Sequence, residues 1–256
     1  MDPTVAITGG TSGIGRAVAS AFVDAGAFVA ICGRDGDAVD RTVAELNEGT
    51  GRTTGPNDED PAGDVGTENA GGDDTAGTAW GERVDVRDEF DLERFFEHVA
   101  REAGSLDIVL ANAAVFHGAP GERPIDDTQY RRFDDTMRTN ARGVFATIRE
   151  AVPHLATDAR VIVPSGSVAH ESKAGMGAYA VSKAAAEGVA RGFAADVEPA
   201  VGVVDPGLVA TDLTGMERAR TPENVAPLFM WAATDAPAEE LNGGRLGLRE
   251  WKQATR

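Results

Sequence analysis

"TVAITGGTSGIGRAVASAFVDAGAFVAICGR", Thr4 to Arg34, reads as strand, glycine loop, helix and strand. Thr4–Thr8 is short, apolar and β-branched, the composition of a buried strand. Gly9 to Gly15 is a turn cluster, and the stretch from Arg16 to Gly26 has helical spacing of its apolar residues, closed by a glycine. "AFVAICGR" then forms a second buried strand. A glycine cluster that follows a strand and opens a helix allows a tight turn and a close approach of backbone to a pyrophosphate. The helix N-terminus adds unpaired N–H groups and a positive dipole.

Outward from this unit the alternation continues. Apolar strands recur at Leu106–Ala114, Ala159–Ser167 and Ala200–Gly207, and helical stretches fall at Asp88–Gly104, Tyr130–Leu155 and Gly177–Pro199. Strands alternating with helices specify a parallel sheet covered on both faces. The prediction is an α/β fold, a single doubly wound Rossmann-type domain over residues 1–256, with a parallel sheet of about seven strands flanked by helices. Residues 48–80, rich in Gly, Asp and Thr with almost no large apolar residue before Trp80, break the alternation. Such a segment buries too little surface to offset its chain entropy, so a mobile, acidic surface insertion is expected there.

Composition narrows the function classes. The chain has 256 residues, with 42 acidic against 24 basic side chains and a net charge of −18. That balance argues against nucleic acid as a partner, because phosphate neutralisation requires a basic face. Only Lys173, Lys183 and Lys252 among the basic residues are lysines. A surface so acidic repels itself unless salt screens it, which reads as a high-salt, haloarchaeal adaptation. Cys32 is the single cysteine, so no disulfide can form within the chain and a reducing cytoplasmic setting is expected. No apolar run reaches the roughly 18 residues of a membrane span, and the N-terminus has no export signal. His98, His117, His154 and His170 stand singly, without the spacing of a metal site. His117 and His170 fall on loops near the expected active end and could touch substrate.

The glycine cluster and four further stretches together resemble the short-chain dehydrogenase/reductase family. "TGGTSGIG" matches that family's cofactor motif, "LANAA" its strand-end asparagine element, "RTNARG" its helix-kinking asparagine, and "YAVSK" its tyrosine–lysine pair. Taken alone, Tyr179 and Lys183 would be any tyrosine over a lysine stem on one helix face. Ser167, 12 residues upstream in "VPSGSVAH", adds the family's catalytic serine at close to its usual spacing. The resemblance covers the chain from Thr4 to about Gly244, apart from the insertion. It departs at Ala111 and Ala114, where the family has Asn and Gly, and at His170, where it has glycine.

The resemblance implies an NAD(P)-dependent oxidoreductase acting on a small carbonyl or secondary alcohol, such as a 3-oxoacyl thioester, a sugar or another alcohol. Tyr179 is then the general acid and base, Ser167 polarises the carbonyl, Lys183 holds the nicotinamide ribose, and Asn140 holds a water of the proton relay. An ammonium about 4 Å from the phenol at an effective dielectric of about 20 would lower its pKa by about three units. Cofactor contacts are expected from Gly9, Thr11, Ser12, Gly13, Ile14 and Gly15, and from Asn112 and Ala113. Asp85 and Val86 of "VDV" would meet the adenine. Pro206, Gly207, Val209 and Thr211 of the loop "PGLVAT" would close on the nicotinamide. The helices holding Asn140 and Tyr179 imply a homotetramer or homodimer. The alternative function class is a catalytically silent dinucleotide-binding regulator or scaffold, which the full set Asn140, Ser167, Tyr179 and Lys183 disfavours.

At the end of the second strand, a carboxylate would select NAD by binding the ribose hydroxyls. Gly33 occupies that place and Arg34 follows. Glycine leaves room, and a guanidinium grips phosphate with two parallel bonds, so NADP is expected, with NAD remaining an option. Asp35 and Asp37 are close enough to turn Arg34 away, and Ser12 stands where many NADP-dependent relatives carry a second basic residue.

Overall fold

The computed structural model describes residues 3–49, 77–216 and 218–256. Seven strands form one sheet: β1 (Thr4–Thr8), β2 (Phe28–Gly33), β3 (Thr78–Arg83), β4 (Leu106–Ala111), β5 (Leu155–Pro164), β6 (Ala200–Asp205) and β7 (Arg245–Gly247). Their spatial order is β3-β2-β1-β4-β5-β6-β7, and every neighbouring pair is parallel. Chain progression reverses between β1 and β4. In open sheets of this kind a crevice forms there, beyond the carboxyl ends of the strands.

The central strands are apolar throughout because helices cover both faces. All five residues of β1 are buried. On one face α1 (Gly13–Asp24) and α7 (Pro222–Thr234) pack together over β1, β2 and β6, with Phe22, Leu228 and Phe229 in the core. On the other, α3 (Glu89–Ala103), α5 (Gly143–Ala151) and α6 (Gly177–Asp196) bury Phe95, Phe96, Ile148 and Ala186 against the alternate side chains of the same strands. The remaining helices are α2 (Gly36–Glu48), α4 (Tyr130–Met137), α8 (Ala238–Leu241) and α9 (Leu248–Ala254). Among the described residues no helix is long and apolar enough to cross a membrane.

The expected loop over 48–80 needs correction at both ends. Glu48 closes α2, and Thr78–Trp80 begin β3, which pairs with β2 from Thr78↔Phe28 to Arg83↔Gly33. The expected insertion otherwise falls on residues 50–76, outside the described residues. "TAWGER" lacks a β-branched run because α2 lies directly over it. A Cβ on Gly81 would come within 2.6 Å of Val39 Cγ1 and 2.8 Å of Val43 Cγ2. Buried Asn47 of α2 fixes the contact, accepting from Ala79 N at 2.8 Å and donating to Ala79 O at 2.9 Å. Trp80 stacks on Phe95, ring centroids 5.9 Å apart.

Candidate active site

The loop between β1 and α1 is pinned from β4. Asn112 Nδ2 donates to Thr8 O (3.1 Å) and Gly9 O (2.9 Å), while Thr8 Oγ1 accepts from the amides of Asn112 and Ala113. Gly9 (φ 68°) and Gly13 (φ 53°) hold left-handed backbone that a side chain would strain. A Cβ on Gly15 would come within 2.3 Å of Gly9 O, so this glycine lets α1 approach the strand end. Gly9, Thr11, Ser12, Gly13 and Ile14 line a cleft of about 560 Å³ that extends past Gly33 and Arg34 at the end of β2 and Asn112 and Ala113 at the end of β4.

The cleft fits a dinucleotide. Ser12 caps α1 without a side-chain bond, and the first turn has no acidic residue, so its N–H groups and dipole are available to an anion. Thr139 on the cleft wall has a buried hydroxyl with no hydrogen-bond partner among the described residues. Arg34 is exposed on the rim and forms no ion pair among the described residues. Asp35 does not turn it away, because that carboxylate caps α2 by accepting from Ala38 N at 3.1 Å.

Asn140 sits in a π-helical turn, Arg138–Arg142, between α4 and α5. Its Oδ1 accepts from Val115 N (2.7 Å), and its Nδ2 donates to Val115 O (2.9 Å) and Ser182 Oγ (3.0 Å). Both amide hydrogens are thereby used, and one lone pair of Oδ1 remains. The asparagine braces the loop after β4 against α6. Tyr179 and Lys183 lie one turn apart on α6, near its N-terminus. The Tyr179 ring meets Phe116 edge to face at 5.0 Å, and Lys183 Nζ lies 5.8 Å from the Tyr179 ring centroid. Lys183 is buried and donates to Pro164 O at 2.9 Å. Ser167 opens the short turn Ser167–Ala169, which packs on α6, and its Oγ accepts from Lys173 Nζ.

The electrostatics of this pair run opposite to the expectation for the phenol. Burial pushes the Tyr179 phenol up to about 12, and burial pulls the Lys183 ammonium down to about 8, with the Glu187 carboxylate opposing that fall. Loss of water penalises the charged form of each group, and at 5.8 Å from the ring centroid the ammonium does not reverse the effect on the phenol. Glu187, one turn beyond Lys183, is itself buried. It accepts from Ser165 Oγ at 2.6 Å and pairs with Arg245, which also binds Asp205 at 3.0 Å.

Tyr179 lines a second cavity of about 270 Å³, which shares Phe116 and His117 with the dinucleotide cleft. Thr211 and Val86 also line the cleft, and Thr211 Cγ2 would lie 3.1 Å from a Cβ on Gly13. Gly15, Asp85, Tyr179, Lys183, Pro206, Gly207 and Val209 do not line it, and Lys183 lines neither cavity. Val209 is buried in the core, and Gly207 N donates to Asp205 Oδ1 at 2.9 Å. Asp85 is held away from an adenine role, because Arg87 grips both its oxygens at 2.6–3.0 Å and holds its carboxyl below the usual range. Arg87 continues to Asp135, which His117 Nε2 also contacts at 2.7 Å.

Sequence reasoning missed Cys32, Val84, Ala114, Val115, Phe116, Thr139, Asp212 and Leu213 as cleft residues. Val84 was accessible to it, since residues i and i+2 of an extended stretch share a face and Val86 was already named. The thiol of Cys32 is buried and pushed up by that burial, which makes it wall rather than nucleophile. Among the described residues, no cluster of His, Cys, Asp or Glu could hold a metal ion.

Two family models match the chain, one described as short chain dehydrogenase over residues 3–57 and one described as enoyl-(acyl carrier protein) reductase over residues 57–228. The chain is 33% identical over 215 residues to an oxidoreductase of Sarocladium schorii, spanning 82% of this chain and 73% of that protein. A short-chain dehydrogenase of Burkholderia cenocepacia, solved in complex with NADP, superimposes with a TM-score of 0.76 at 26% identity, covering 96% of each chain. A short-chain type dehydrogenase/reductase of Mycobacterium ulcerans gives a TM-score of 0.79 at 25% identity, over 97% of this chain and 88% of that one.

Proposed function

The chain belongs to the short-chain dehydrogenase/reductase family, and from that premise we propose that it is an NADP-dependent oxidoreductase that reduces a small carbonyl compound to an alcohol, with Tyr179 as proton donor. The observation that carries this reading is the shared wall. The phenol of Tyr179 lines a small cavity that meets the dinucleotide cleft at Phe116 and His117.

NADP would lie with its pyrophosphate on the loop from Thr11 to Ile14, its ribose phosphate toward Arg34 and its adenine against Val84 and Val86. A bound nicotinamide nucleotide supplies hydride chemistry. The NADP complex of the Burkholderia relative supports this choice, as does Gly33 in place of an acidic residue.

The residues of the chain perform the proton chemistry. With a phenol at about 12 and an ammonium at about 8, both groups are protonated at neutral pH, the state a carbonyl reduction needs. As Tyr179 gives up its proton, the buried Lys183 charge stabilises the phenolate that forms. Ser167 accepts from Lys173 Nζ and its hydroxyl is engaged with the Glu171 carboxylate, so it would turn from Glu171 to bond the carbonyl oxygen of a bound substrate. Asn140 holds Val115 and Ser182 in place, and thereby the wall that carries Phe116. Tyr179→Phe should lower kcat by about a thousandfold or more with NADPH affinity changed less than about twofold, since only the proton donor is removed. Turnover by the variant at a tenth of the wild-type rate would sink the assignment.

Assembly as a homodimer or homotetramer through α4, α5 and α6 fits the outward Phe145, 43% exposed and packed on Phe193. A single-chain mass by light scattering would refute it. The net charge of −18 supports a protein adapted to concentrated salt, and the buried lone Cys32 suits a cytoplasmic setting. A melting temperature that does not rise between 0.1 M and about 3 M KCl would count against the salt adaptation.

A further inference from the structure

The cavity beside Tyr179 is lined by two arginines, Arg123 and Arg132, against one carboxylate, Asp127. In a chain of net charge −18 this reverses the local sign. Neither guanidinium has an ion-pair partner among the described residues, and Asp135 nearby is taken by Arg87 and His117.

The position of Arg123 is built. Gly121 N and Arg123 N both donate to Gly175 O, at 3.2 and 3.0 Å, and Arg123 bridges to Met176 just before α6. The approach depends on glycine. A Cβ on Gly118 (φ 133°) would lie 1.9 Å from Arg123 Nε, one on Gly175 (φ 70°) 2.2 Å from the Gly121 carbonyl, and one on Gly177 (φ 48°) 2.9 Å from Arg123 O. Three glycines thus lay the guanidinium against the loop next to His117 and bring its backbone to the start of the helix that carries Tyr179. Arg132 is half-buried on α4 across the same cavity.

We propose that this cavity selects oxo substrates bearing an anionic oxygen group, a carboxylate or a phosphate, gripped by Arg123 and Arg132 while the reacting carbonyl meets Tyr179. Guanidinium forks match either group with paired hydrogen bonds. The inference rests on Tyr179 as the proton donor of this cavity. The carbonyl carbon would gain a hydride from the reduced nicotinamide nucleotide, which becomes oxidised, and its oxygen the phenolic proton, which Tyr179 regains from solvent; no bond to the anionic group breaks.

The test compares matched pairs with NADPH and the whole protein: 2-oxo and 3-oxo carboxylic acids against their methyl esters, and dihydroxyacetone phosphate against dihydroxyacetone. The wild type should favour the anionic member by at least tenfold in kcat/KM at 0.05 M KCl, with the margin shrinking toward 1 M as salt screens the arginines. Which pair gives the larger margin separates carboxylate from phosphate. Arg123→Gln and Arg132→Gln should each raise KM for the anionic substrate about tenfold, with KM for NADPH within about twofold and partial recovery in the Lys variants. Esters used as well as acids by the wild type, or Gln variants that retain the preference, would overturn the proposal. If a Gln variant fails to fold, the wild-type ratio and its salt dependence decide. If no pair turns over, the oxidoreductase reading fails, and calorimetry of the hydroxy acids against their esters on the NADP-loaded protein decides the anion site: tighter acid binding supports it and equal binding overturns it.

Discussion

Lys183 lies in a place that costs it stability at neutral pH, and the cost has a defined pH window. Its ammonium titrates at about 8 in the folded protein against 10.5 for the unfolded reference, so the unfolded chain binds the proton more tightly. Stability therefore rises as pH climbs from 8 toward 10.5, and the penalty is fully present below 8. At about 1.4 kcal/mol per unit the burden is about 3 kcal/mol at pH 7 and about 1.5 kcal/mol at pH 9.5. Lys183→Met removes the titration but also the bond to Pro164 O, a loss that is the same at both pH values. The absolute stability of the variant depends on that bond and on repacking; the change with pH does not. Urea unfolding of wild type and variant should show the variant losing about 2 kcal/mol of relative stability between pH 7 and pH 9.5, with every other group cancelling in the difference. A difference flat within about 0.5 kcal/mol would show that Lys183 keeps an ordinary pKa, and with it would fall the account of a desolvated Tyr179–Lys183 pair.

Two further substitutions probe the cleft and the sheet edge. With Arg34 on the cleft rim and in no ion pair among the described residues, NADPH should exceed NADH in kcat/KM by at least about tenfold, and Arg34→Ala should erase most of that margin; equal use of both by the wild type would refute the reading. Asn47→Ala orphans the amide and the carbonyl of Ala79 in a buried place, so urea unfolding should report a loss of about 2–4 kcal/mol, and a loss under about 0.5 kcal/mol would mean that α2 does not depend on this link.

The strands that sequence alone located are those buried on both faces. Val5–Ile7, Phe28–Gly33 and Ala200–Val204 are continuous runs without a charged residue because helices cover each side of them, and such runs carry their own signal. β3 and β7 carry none. In β3, α2 occupies the space where branched side chains would stand, so the strand carries Gly81. Its anchor is Asn47, on a different element and separated from it by residues 50–76. β7 is three residues long and owes its place to Arg245, which bonds Asp205 and Glu187 from strand and helix. Edge strands defined by partners distant in sequence leave no periodicity to read.

The active residues divide along the same line. Gly9 and Gly13 were legible by their turn, whereas Tyr179 and Lys183 were legible only through the family resemblance and Ser167 12 residues upstream. Functional states set by surroundings were not. The resemblance implied an ammonium lowering a phenol, a calculation that treats the two groups as charges in a uniform medium. Around Tyr179 the medium is Phe116 from the loop after β4, and around Lys183 it is the end of β5 with Glu187 beyond. Each of these removes water from one group of the pair, and desolvation acts on the two in opposite directions on the pH scale, moving the phenol up and the ammonium down. Between about 8 and about 12 this leaves a neutral amine beside a neutral phenol, and below about 8 a charged donor beside a protonated one. With Tyr179 as the proposed proton donor, only the lower window would stabilise a phenolate while the proton is still available to give, so reduction should be favoured at neutral pH.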